Sequence, residues 1–160
     1  MGRSKACLLV CCLILVMIAI PVQAETTDYF GNNGLLIITT PYVRLGELKT
    51  DPANPALEYF EAEEALRFLI FTWDSKWQVF LSGNDFVSGV DRIPLEQMEW
   101  KLGGSNYRKM PRAGKEEIIL AQGQNSGFFQ YHNLSFRLAL RGDEAPGRYN
   151  SNLTITMIYL

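Results

Sequence analysis

The chain has 160 residues, of which 15 are basic and 17 acidic, for a net charge of −2 at pH 7, and this length predicts one domain. Its three cysteines, Cys7, Cys11 and Cys12, all fall within the first 24 residues. Beyond that point disulfides, thiol catalysis and cysteine-ligated metal centres are excluded, and the acidic balance argues against a nucleic-acid partner.

The first predicted element is a removable export signal spanning residues 1–24. Arg3 and Lys5 give it a positive start, Ala6 to Ile20 is uncharged and mostly apolar, and Val22-Gln23-Ala24 supplies a small-x-small cleavage pattern. The apolar run is shorter than the roughly 20 residues of a membrane span and ends in Pro21, so no transmembrane segment is expected after cleavage. The mature chain, residues 25–160, is then a single domain with 13 basic and 17 acidic residues, expected to be secreted or held at the cell surface.

The mature chain reads as short strands separated by turns. Leu35 to Thr40 is apolar on both parities and stops at Pro41. Asp51-Pro52-Ala53-Asn54-Pro55 is a turn region. Ala56 to Leu66 stays open between a short helix and a strand. Asn54-Pro55 resembles a helix cap, whereas the following Arg67 to Trp73 is rich in Phe, Ile and Thr. Phe68–Trp73 and Trp77–Ser82 flank Asp74-Ser75-Lys76, a pattern that predicts a hairpin.

Trp77, Val79 and Leu81 share one parity, and Met98, Trp100 and Leu102 alternate against Gln97, Glu99 and Lys101. Gly103-Gly104 ends that strand and starts a return arm through Tyr107, and a basic loop runs from Lys109 to Lys115. Leu134, Phe136, Leu138 and Leu140 face one way, and Leu153, Ile155, Met157 and Tyr159 form a final alternating strand after the Gly142–Gly147 turn cluster. Strands at this spacing predict an all-β fold, an Ig-like antiparallel two-sheet β-sandwich of about 7–9 strands.

The closing run Ala145-Pro146-Gly147-Arg148-Tyr149-Asn150-Ser151-Asn152-Leu153-Thr154-Ile155-Thr156 resembles the last strand of exported bacterial β-sandwiches. Spore coat protein U-like and pilin-like domains, and the WxL surface domains, end in a similar way. Trp77-Gln78-Val79-Phe80-Leu81, Asp85-Phe86 and Ile93-Pro94 extend the likeness over roughly half of the mature chain. The sequence departs from these relatives in lacking the disulfide cysteines of coat and pilin domains and the paired Trp-x-Leu signature of WxL domains. The resemblance implies an exported Ig-like sandwich of cell-surface type and transfers no catalytic residue.

No catalytic group is expected. The one histidine, His132, shares parity with Leu134 and Phe136, and no Gly-x-Ser-x-Gly elbow accompanies it. Glu96 with Glu99, or Asp74 with Asp85, are the carboxylate pairs that glycoside hydrolysis would need, but the pattern reads as solvated surface charge. Asn84, Asp85 and Asp91 are weak candidate calcium ligands without an Asp-x-Asp-x-Asp-Gly loop, so neither metal nor other cofactor is expected. Arg108, Lys109, Arg112 and Lys115 form the one local basic excess.

All 3 Trp, 7 Tyr and 9 Phe residues lie after Ala24. Trp77, Trp100, Phe136 and Tyr159 fall on inward parities and are expected in the core, whereas Phe80, Tyr107, Phe128, Phe129 and Tyr131 are harder to bury. Tyr107, Phe128, Phe129 and Tyr131 are therefore the candidate ligand-binding residues. Asn133-Leu134-Ser135 and Asn152-Leu153-Thr154 match the glycosylation triplet and are read as chance in a bacterial chain.

The expected function is that of a non-enzymatic surface structural or adhesion protein, assembling with itself or other surface proteins through edge-strand pairing. The alternative is a carbohydrate-binding module that stacks polysaccharide on exposed rings.

Overall fold

Alternation of apolar and polar residues is what the chain carries, and β-structure is what forms. The computed structural model describes residues 20–24, 29–31, 34–73, 76–124 and 129–160. The chain opens with β1 (Ile20–Ala24), β2 (Tyr29–Gly31), β3 (Gly34–Ile38), β4 (Tyr42–Leu45) and β5 (Glu47–Asp51). Then come β6 (Asn54–Thr72), β7 (Lys76–Gly83), β8 (Phe86–Ser88) and β9 (Asp91–Ile93). A 3-10 turn (Leu95–Gln97) leads to β10 (Met98–Leu102), β11 (Arg108–Lys109), β12 (Ile118–Gln124), β13 (Gln130–Leu140) and β14 (Ser151–Tyr159). The fold is all-β, and no described helix is long and apolar enough to cross a membrane.

One sheet has the order β12-β7-β14-β1-β4 and the other β11-β10-β13-β6-β3-β2, with β5 also on β6, while β8 and β9 form a small ribbon. Buried side chains of both large sheets belong to one core. Val43, Leu45, Trp77, Val79, Leu81, Leu153 and Ile155 come from the first, and Leu36, Leu66, Phe68, Ile70, Trp100, Leu134, Phe136 and Leu138 from the second. Trp77, Trp100 and Phe136 are buried as their parities require, and Tyr159 packs against the core while half-buried.

The segment Ala56–Leu66, left open in sequence, is strand. Phe60 and Ala62 pack against the core, Tyr59 and Glu61 lie on the opposite face with Tyr59 buried there beneath Arg137, and Pro55 lies beyond the last pair with β13, Leu140 with Glu58, where no amide donor is needed. The inward register shifts at Glu64, whose φ of 46° marks a bulge. Ser135, buried opposite it, accepts the Glu64 N–H at 2.9 Å. The Asp51–Asn54 turn holds as expected, with Asp51 Oδ1 accepting the Ala53 N–H at 2.8 Å.

The expected hairpin across Asp74-Ser75-Lys76 does not form. β6 pairs with β13, β3 and β5, whereas β7 pairs with β12 and β14, so this connection passes from one sheet to the other. Turn-length rules describe local geometry, and here the demand of two faces for one core overrides them. Residues 1–19 of the expected signal lie outside the described residues, and its last residues form β1.

Candidate functional site: a bridged seam and an aromatic edge

In the first sheet β1 lies between β14 and β4. β1 runs parallel to β14, with Val22 opposite Ser151 and Ala24 opposite Leu153. It runs antiparallel to β4, with Ile20 opposite Leu45, Val22 opposite Val43 and Gln23 opposite Tyr42. The residues flanking it are deeply buried, since Val43, Leu45 and Leu153 are at most 1% exposed and Ser151 is 4%. Both flanking edges therefore have their backbone groups satisfied by one short strand. The expected processing tripeptide Val22-Gln23-Ala24 is part of that strand.

An open hollow of about 540 Å³ lies at the start of β14, lined by Asn84, Asp85, Val87, Asn150, Ser151 and Asn152. Two of the three sequence-derived calcium candidates, Asn84 and Asp85, meet here, while Asp91 pairs with Ser88 on the ribbon. Their polar atoms tie corners together. Asp85 Oδ1 accepts the Leu95 N–H at 2.9 Å, and the Asn84 carbonyl accepts the Ser151 hydroxyl at 2.6 Å. Among the described residues no group of three or more His, Cys, Asp or Glu is arranged to hold a metal.

The candidate aromatic residues separate. Phe129 and Tyr131 stand 49% and 75% exposed at one end of the second sheet, beside Phe71 and the 52%-exposed Trp73. Phe71 meets Trp73 edge-on at 4.7 Å and 84°, and Phe129 at 5.1 Å and 38°. These contacts make a faceted apolar edge rather than a flat platform. Phe128 lies outside the described residues.

Tyr107 is six positions along β13 from this edge, about 20 Å away at the rise of a strand, because it packs over Arg137. Its hydroxyl donates to Glu61 at 2.7 Å, and its ring is covered by the Arg137 guanidinium at 4.4 Å and by Lys101 at 4.6 Å. Burial and the Glu61 carboxylate hold the Tyr107 hydroxyl well above the usual phenol range. Burial raises the Glu61 carboxyl, but the Lys49 and Tyr107 hydrogen bonds outweigh it and leave it below its ordinary value. Arg137 also stacks on Tyr59 at 5.1 Å and bonds Glu99, so this outer-face network is internally satisfied.

The remaining candidates have structural partners. His132 stacks on Phe68 with ring centroids 5.0 Å apart. Glu96 pairs with Arg112 and Glu99 with Arg137 across the outer surface, and Asp74 is outside the described residues. In the basic loop Met110 turns inward to 2% exposure. Sequence reasoning missed Phe71 and Trp73 as surface rings. The signal was present, since both lie on the parity opposite Phe68 and Ile70, but it needed the strand register to be read.

No family model matches the chain, and no curated protein is significantly similar to it.

Proposed function

We propose that this chain is an exported, non-enzymatic surface protein, an Ig-like two-sheet sandwich that assembles with copies of itself by strand addition. The observation that carries this reading is the bridging of β14 to β4 by Ile20–Ala24. Those residues fall inside the expected export signal. Cleavage after Ala24 removes the bridging strand, leaving two unpaired edges over Val43, Leu45 and Leu153. Unpaired edges flanking apolar residues take up an added strand, with main-chain hydrogen bonds giving affinity and alternate side chains giving register. Between Ala24 and β3 the described residues Tyr29–Gly31 (β2) pair with β3 of their own chain, so these residues have to leave that pairing before they can add to a neighbour's edge.

A synthetic peptide spanning Ile20–Ala24 with flanking residues tests the reading on the polypeptide 25–160. Binding that raises the thermal midpoint and dissolves oligomers is the expected result. A peptide with no effect on a stable monomer would overturn it.

A second reading, a polysaccharide-binding module, draws on the grouping of Trp73, Phe129 and Tyr131 at one exposed edge. It expects tryptophan fluorescence to change with a wall polysaccharide and Trp73→Ala to abolish the change. Unchanged fluorescence across a polysaccharide panel removes it.

A further inference from the structure

The connection from β13 to β14 carries a feature that neither the core nor the seam uses. Arg141, Gly142 and Asp143 are consecutive and exposed, directly after β13. Gly142 has φ +89°, a conformation that side-chain-bearing residues rarely adopt, yet a Cβ at this position would meet nothing within 4 Å. Glycine is therefore demanded by the backbone, which sets the cation and the carboxylate on either side of a left-handed residue.

The turn is held from beneath. Glu144 accepts the N–H of Arg141 at 2.8 Å and the N–H of Gly142 at 2.9 Å, and its Oε1 also accepts the side-chain amide of Gln97 at 2.7 Å. Gln97 is 7% exposed and donates to the Ala139 carbonyl as well, which anchors the clamp to the body of the fold. Farther along the loop the Tyr149 hydroxyl donates to the Ala145 carbonyl at 2.8 Å. Glu144 is thereby occupied, while among the described residues neither Arg141 nor Asp143 takes part in an ion pair. A guanidinium and a carboxylate displayed without partners from a braced turn lose little conformational freedom when a receptor takes them.

We propose that Arg141-Gly142-Asp143 is a recognition turn for an adhesion receptor that presents a divalent cation to the carboxylate and an acidic pocket to the guanidinium. A hard cation with an open position takes a carboxylate oxygen, and the planar guanidinium forks onto carboxylates. The inference deepens the surface-adhesion reading and rests on its export step, but not on strand addition.

The test immobilises the full chain and measures binding of a soluble Arg-Gly-Asp-selective integrin ectodomain in Mn²⁺ and in EDTA. Asp143→Glu keeps the charge and moves the carboxylate by one methylene. It is expected to weaken Mn²⁺-dependent binding by at least about tenfold, equivalent to about 1.4 kcal/mol, with an unchanged thermal midpoint. Glu144→Gln, which loosens the clamp beneath an intact Arg-Gly-Asp, is expected to weaken it less. No Mn²⁺-dependent binding by the unaltered chain, or equal binding by Asp143→Glu, would overturn the proposal. The mass of the polypeptide 25–160 separates the two readings. Assembly with indifferent Asp143→Glu binding removes the receptor turn alone, whereas receptor binding by a permanent monomer removes strand addition alone.

Discussion

His132 lies at the end of the inward face with its ring against Phe68 and its Nε2 buried without a hydrogen-bond partner among the described residues. Burial lowers its pKa from the ordinary value. The unfolded chain therefore binds a proton that the folded chain resists, so stability is full above the unfolded pKa near 6.5 and declines as pH falls through the lowered folded value. The thermal midpoint is expected to drop between pH 7 and pH 5. In His132→Phe, which keeps an aromatic contact to Phe68, that part of the pH dependence disappears; an unchanged profile contradicts the burial account. Gly123 makes a second test at this scale. A Cβ there would sit 2.8 Å from the ring of Trp77, which is 2% exposed, so one of the two has to shift. Gly123→Ala is expected to destabilise by about 1–3 kcal/mol in denaturant melts.

Strands with a buried face declare themselves, and this separates the elements that sequence could locate from those it could not. β7, β10 and β14 alternate cleanly with the expected residues inward, and β13 buries Leu134, Phe136 and Leu138 as expected but also Ser135, which its parity placed outward. β12 went unnoticed because its apolar run is only Ile118-Ile119-Leu120 and its second half, Ala121-Gln122-Gly123-Gln124, is polar and carries a glycine. The Glu64 bulge was equally hidden, since nothing local signals a positive φ at a glutamate. Its support by Ser135 leads to a prediction. Ser135→Ala leaves the Glu64 amide without its acceptor and is expected to cost about 1 kcal/mol, and Glu64→Val, with a branched side chain at positive φ, roughly 1–2 kcal/mol by the same melts. The Glu144 clamp belongs to this scale as well. Burial raises its carboxyl, but the N–H of Arg141, the Gln97 amide and the N–H of Gly142 prevail and hold it below the ordinary range. The clamp is therefore present above the unfolded carboxylate pKa of about 4.3 and is lost as pH falls through the lowered folded value. Amide-exchange protection at Arg141 and Gly142 is expected to fall in that acidic window, and Glu144→Gln should remove the transition.

Over the whole molecule, the chain's pattern reports that strands exist but not which sheet each one joins. β6 and β7 are consecutive and were expected to pair, yet they lie in different sheets. The candidate aromatic residues divide for the same reason, because Tyr107 and Tyr131 share a sheet face but stand at opposite ends of β13. The seam was legible only in part. Val22-Gln23-Ala24 matches the small-x-small pattern expected of a processing site, but that those residues bridge β14 to β4 emerges only from the long-range register. Strand addition at that seam is the central claim, and solution mass tests it most directly. Light scattering on the polypeptides 25–160 and 20–160, side by side, asks whether the bridging strand controls assembly. The account predicts oligomers for 25–160 and a monomer for 20–160. Monomers in both cases, at concentrations where both are folded, would contradict it.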